Sequence, residues 1–100
     1  MERKNASLIE LDLYEKEILG MVVHAESFES ILSEFSGSAY ILGDCLRSLV
    51  RQKILRLFEY DEKSNSWRSR MIYDADKLRE YRYQLTALGM QLMTLANEKK

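Results

Sequence analysis

Leu46-Arg47-Ser48-Leu49-Val50-Arg51-Gln52-Lys53-Ile54-Leu55-Arg56-Leu57-Phe58-Glu59-Tyr60 changes its periodicity halfway along. Up to Gln52 the apolar residues keep helical spacing. Leu42, Cys45, Leu46, Leu49 and Val50 share one stripe of a helix predicted over 39–52. From Ile54 to Tyr60 the run is rich in strand formers and too short for a typical helix, so a strand is predicted. Helix and strand meet at Gln52-Lys53, and the rest of the chain is read outward from that junction.

Upstream lie two more amphipathic helices. Leu11, Tyr14, Ile18, Met21, Val22 and Ala25 recur at helical spacing, which predicts a helix starting near Leu8 or Leu11 and running to His24. Ser27 is placed to cap a second helix, in which Phe28, Ile31, Leu32 and Phe35 repeat at i, i+3, i+4 and i+7. Ser36-Gly37-Ser38 breaks that pattern, and Ser38 can cap the third helix. Proline is absent, so glycine, serine, asparagine and aspartate supply the turns.

Downstream the chain reads as ribbon. Residues 61–66 form a polar turn. Residues 67–73 alternate at period two, with Arg68 and Arg70 on one side and Trp67, Ser69, Met71 and Tyr73 on the other. Asp74-Ala75-Asp76-Lys77 reads as a turn or short helical corner. Residues 80–85 alternate again with Tyr81, Tyr83 and Leu85 inward, and Thr86 can cap a closing helix bearing Leu88, Leu92, Leu95 and Ala96. Lys99 and Lys100 suit the negative end of that helix.

Composition narrows the function classes. At 100 residues the chain is one domain, and 46% hydrophobic with 31% charged residues gives a core and a soluble surface. No apolar run approaches a bilayer span, and Met1-Glu2-Arg3-Lys4-Asn5 leads into no apolar signal region, so a cytoplasmic protein is expected. One cysteine excludes an internal disulfide and a multi-cysteine zinc site. The net charge of −1 excludes a strongly basic non-specific nucleic-acid binder. It hides a gradient: residues 1–35 hold three basic and eight acidic side chains, and residues 36–100 hold twelve basic and eight acidic. An acidic end and a mildly basic remainder allow one face to meet a polyanion.

Three helices, a basic ribbon and a closing helix make an arrangement that resembles the winged helix-turn-helix superfamily. Leu46 to Arg56 resembles the end of its third helix and its first wing strand. Tyr81-Arg82-Tyr83-Gln84-Leu85-Thr86-Ala87-Leu88-Gly89 resembles its second wing strand and closing helix: an aromatic strand, then Leu-Thr, then a glycine three residues on. In this form the chain looks most like the small PadR-like and MarR-like bacterial regulators. The resemblance implies a mostly helical α+β fold with three N-terminal helices, an antiparallel wing hairpin or three-stranded sheet, and a C-terminal helix. One domain over 1–100 is expected, with 1–10 as a flexible N-terminus and 87–98 available for dimerisation. Two departures stand out. Lys53 occupies a position where such regulators often carry a left-handed glycine. The stretch 61–79 is long for a simple wing, and is read as an extra strand in a three-stranded sheet or else an extended wing.

The resemblance also implies a site. A third helix of this kind lies in the DNA major groove, its N-terminal half reaching base edges. Projection at 100° per residue puts Tyr40, Asp44, Arg47, Ser48 and Arg51 opposite the buried stripe, with Ile41 at its edge. Arg47 suits a guanine edge or a phosphate, and Arg51 a phosphate. Tyr40 can stack or donate its hydroxyl. Ser36 and Ser38, near the helix start, suit phosphate. Lys63, Arg68 and Arg70 are the wing candidates. Asp44 opposes phosphate unless it pairs with Arg47 or accepts from a cytosine amino group.

The expected partners are double-stranded DNA and a second copy of the chain, with no membrane. The dimer rests on apolar residues beyond the main stripes: Met90 and Met93 on the closing helix, and Leu8, Ile9, Leu13, Leu19 and Val23 on the first. His24 and Cys45 lack ligand-spaced companions, so neither a metal nor a cofactor is expected. There is no phosphate-cradling glycine loop, nucleophile elbow or paired acid–base constellation, and no enzyme is read. The alternative function, from another class, is a winged helix used for protein–protein contact without DNA binding.

Overall fold

Asp12 and Glu15 start the first helix by capping each other. The Asp12 carboxylate accepts the Glu15 N–H at 2.8 Å, and the Glu15 carboxylate accepts the Asp12 N–H at 3.1 Å. The computed structural model describes residues 10–98. Helix α1 spans Leu13–Leu19 and stops at Gly20, well short of the predicted His24. Met21 closes a tighter turn onto Ile18, and the Val22 carbonyl accepts the Leu85 N–H, so the sheet captures the chain there. Ile18, Leu19 and Val22 are all buried. Leu19, expected to be free for a partner copy, thus belongs to this copy's own core.

The strand β1 (Glu26–Ser27) leads straight into α2 (Phe28–Glu34), where the Ser27 hydroxyl accepts the Ser30 N–H. Helix α3 (Ala39–Arg51) is capped by Ser38, whose hydroxyl accepts the Ile41 N–H at 3.2 Å. Then follow β2 (Leu55–Asp61), β3 (Ser66–Arg70), a 3-10 helix (Ala75–Glu80), β4 (Arg82–Leu85) and α4 (Ala87–Glu98). Among the described residues the result is a small α+β domain of five helices and one antiparallel sheet, ordered β1-β4-β2-β3.

The sheet has four strands, one more than the largest sheet expected. The additional strand is β1, with only Glu26 and Ser27 paired to Tyr83 and Arg82. Two polar residues carry no alternation for sequence reading to detect. The extra strand β3 is present but ends at Arg70, so Met71 and Ile72 leave the ladder and stand 86% and 90% exposed. Met71 therefore does not extend the apolar side expected for 67–73.

The junction at Gln52-Lys53 is a helix stop of definite geometry. Lys53 donates to the Val50 carbonyl and Ile54 to the Leu49 carbonyl, at 3.0 and 2.9 Å. This is the Schellman pattern, and it requires a left-handed residue, here Lys53 at φ 66°. Leu49 and Ile54, which flank the stop, are both fully buried. Thr86 then ties the stop to the last helix. Its hydroxyl donates to the Lys53 carbonyl at 2.6 Å and accepts the Gly89 N–H at 3.1 Å, while its own N–H bonds the Ile54 carbonyl. A Cβ on residue 89 would lie 2.4 Å from the Ile54 carbonyl oxygen, so only glycine fits this approach.

One core joins these elements: Ile18, Phe28, Ile31, Leu42, Leu46, Leu49, Leu57, Tyr83 and Leu92 are among its buried members. Tyr81, Tyr83 and Leu85 point inward as expected. Among the described residues no helix is long and apolar enough to cross a membrane. Of the expected flexible start at 1–10, residues 1–9, including Leu8 and Ile9, lie outside the described residues, as do Lys99 and Lys100.

Candidate nucleic-acid interface

The exposed positions of α3 are Tyr40, Asp44, Arg47 and Arg51, at i, i+4, i+7 and i+11. That spacing draws one stripe along a helix, opposite the buried Leu42, Cys45, Leu46 and Leu49. Tyr40 is 78% exposed in the first turn, and Arg51 closes the last turn at the surface. Arg47 is ion-paired with Asp44 within the helix, which offsets one positive charge on the stripe. Ser48 departs from expectation: it is half-buried, and its hydroxyl accepts from Gln52 Nε2 at 2.9 Å.

The two serines before α3 differ in their availability. Ser38 is spent on the cap. Ser36 gives both its N–H and its hydroxyl to the Glu17 carboxylate, at 2.9 and 2.8 Å. A carboxylate therefore stands where a phosphate was expected. Beside the stripe a groove of about 480 Å³ separates α3 from the 3-10 helix, with Tyr40, Asp44, Arg47, Lys77 and Arg79 among its lining residues. Arg79 crosses to α2, pairing with Glu29 and lying 4.8 Å from the centroid of the Phe28 ring.

The wing candidates lie on the β2–β3 hairpin. Arg70 pairs with Glu59 at 3.0 Å, and Arg68 lies 3.7 Å from Asp61. Lys63 is exposed in the connecting turn, its N–H bonded to the Asp61 carboxylate. That bond, with help from the Ser64 hydroxyl and Arg68, holds Asp61 below the usual carboxylate value. The hairpin thus carries alternating charge rather than a bare cationic edge.

The strand registers reveal a second cluster that single-strand periodicity does not give. Phe58 faces Arg82 on β4 and Ser69 on β3, Arg56 faces Gln84, and Tyr60 faces Trp67. Paired residues share a face. Arg56, Phe58, Tyr60, Trp67 and Arg82 therefore stand together on the side of the sheet opposite Leu55, Leu57, Tyr83 and Leu85. The Arg82 guanidinium lies 4.4 Å from the centroid of the Trp67 ring, and Tyr60 meets that ring edge-on at 5.4 Å. The signal for this cluster was the alternation of residues 56, 58 and 60, which becomes a face only once the partner strands are in register.

The titratable interior is sparse. Cys45 is buried on α3, and burial lifts its thiol to about 11, with smaller contributions from Asp12, Glu15 and Asp44. Tyr83 is pushed above its ordinary value by burial, and its hydroxyl donates to the Leu78 carbonyl. Among the described residues no three histidine, cysteine or acidic side chains gather where they would hold a metal ion. No protein-family model, no curated protein and no solved structure matches the chain.

Proposed function

We propose that this chain is a winged helix-turn-helix module that binds double-stranded DNA as a small cytoplasmic regulator, with α3 in the major groove and the β2–β3 hairpin on the backbone. The observation that carries the reading is the open stripe of Tyr40, Arg47 and Arg51 on a capped helix whose other side is the domain core. A helix so mounted presents its side chains to a groove without loss of packing. The order of three helices, antiparallel ribbon and closing helix supports the same reading. Arg51 and Lys63 supply phosphate contacts, and Arg47 reaches a base edge when it exchanges Asp44 for guanine. Dimerisation would use α4, where Met90 and Leu95 remain exposed beside buried Leu92.

A second reading is contact with a protein partner through the same stripe. The pairing of Arg47 with Asp44 and of Ser36 with Glu17 favours it, because both place negative charge beside the proposed phosphate positions. Amide-shift mapping with duplex DNA separates the two. DNA binding moves the signals of residues 39–51 and the 62–65 turn, whereas a protein-contact module shows no shifts with duplex at low salt.

A further inference from the structure

The β2–β3 hairpin sorts its charges by face. On the core-side face, Glu59 and Asp61 answer Arg70 and Arg68. On the outer face, Arg56 and Arg82 stand with Phe58, Tyr60 and Trp67, and no strand position on that face of β2, β3 or β4 is a carboxylate. Glu62 lies beyond that end, in the turn after β2. Tyr60 and Trp67 are 40% and 38% exposed, Phe58 is half-buried, and both arginines are exposed.

We propose that this outer sheet face is a stacking platform for single-stranded nucleic acid, separate from the α3 stripe. Unpaired bases offer flat π-surfaces that stack on aromatic rings and on guanidinium planes, and the linking phosphates are drawn to the arginines. The stacked Trp67–Arg82 pair holds one such plane in place. Bases within a duplex are already stacked on each other and cannot use the platform, which is what makes the site selective for single strands. A second copy of the chain fits less well. In a twofold contact the same face meets itself, so Arg56 and Arg82 enter it with no carboxylate on the strands of the facing copy to answer them.

The test uses the protein's single tryptophan, Trp67, as its probe. The whole chain is titrated at low salt with a short oligothymidylate and, separately, with duplex DNA. Saturable quenching of Trp67 emission by the single strand is expected. Arg82→Ala should weaken single-strand binding roughly tenfold. Arg82→Lys, which keeps the charge and loses the plane, should restore only part of it. Arg56→Glu should weaken it without touching the Trp67 contact, and Arg47→Ala with Arg51→Ala should leave it unchanged. Absence of quenching by the single strand would overturn the proposal, even if the duplex still bound through α3. So would emission that tracks protein concentration alone, which marks a contact between copies, or a loss caused equally by the α3 substitutions.

Discussion

Asp44 and Arg47 form an ion pair one turn apart on the exposed stripe of α3. Exposed pairs of this kind contribute about 0–1 kcal/mol to stability, so the pair matters more for what Arg47 is free to contact. Removing the carboxylate leaves the arginine available. Asp44→Asn is expected to tighten duplex binding and to steepen its salt dependence by about one unit of log–log slope. Fluorescence anisotropy at several salt concentrations measures both. Weaker binding would show that Asp44 itself contacts the DNA.

Lys53 holds a left-handed conformation at the end of α3 because the Schellman stop demands it. Glycine adopts that conformation without the Cβ penalty, so Lys53→Gly should stabilise the fold by about 1 kcal/mol. For a domain of this size that raises the melting midpoint by roughly 4–8 °C. A fall in the midpoint would mean that the lysine side chain supplies more than the backbone costs.

Gly89 is the opposite case. Any side chain there meets the Ile54 carbonyl at 2.4 Å and Leu85 Cδ2 at 2.8 Å. Gly89→Ala should cost about 1–3 kcal/mol through forced displacement of α4. Chemical denaturation reads this directly, and an unchanged midpoint would show that α4 shifts freely.

Burial lifts the Cys45 thiol from its ordinary 9.0 to about 11. The folded protein therefore holds this proton more tightly than the unfolded chain does. The resulting stability is fully present below about pH 9 and is lost as pH rises through 11. Cys45→Ala should flatten that alkaline loss. Alkylation of Cys45 in the folded protein should be slow at neutral pH, because little thiolate forms and access is closed. Rapid labelling at pH 7 would contradict the buried position.

Much of this fold was legible because its signals are local. Ser27 and Ser38 cap α2 and α3 where their hydroxyls predict it, and Tyr81, Tyr83 and Leu85 alternate as a half-buried strand must. What escaped reading depends on distant partners. The helical spacing of Met21, Val22 and Ala25 extends α1 to His24, yet the Val22 carbonyl accepts the Leu85 N–H instead of a helical one. Strand β1 exists only because β4 pairs with it. On α3, the exposed stripe of Tyr40, Asp44, Arg47 and Arg51 matched a simple projection, but the half-buried Ser48 did not. The pairing of Ser36 with Glu17 spans 19 residues and leaves no local trace. The aromatic–arginine face needed the register of three strands before its members could be seen as neighbours.

The most direct test of the DNA-binding account is duplex affinity as a function of salt, for the native chain and for Arg47→Ala with Arg51→Ala. Each phosphate neutralised contributes a log–log slope of about −0.9. The account predicts measurable binding at low salt, a steep decline as salt rises, and loss of most of the affinity in the double variant. No binding at low salt, or binding that survives removal of both arginines, would contradict it.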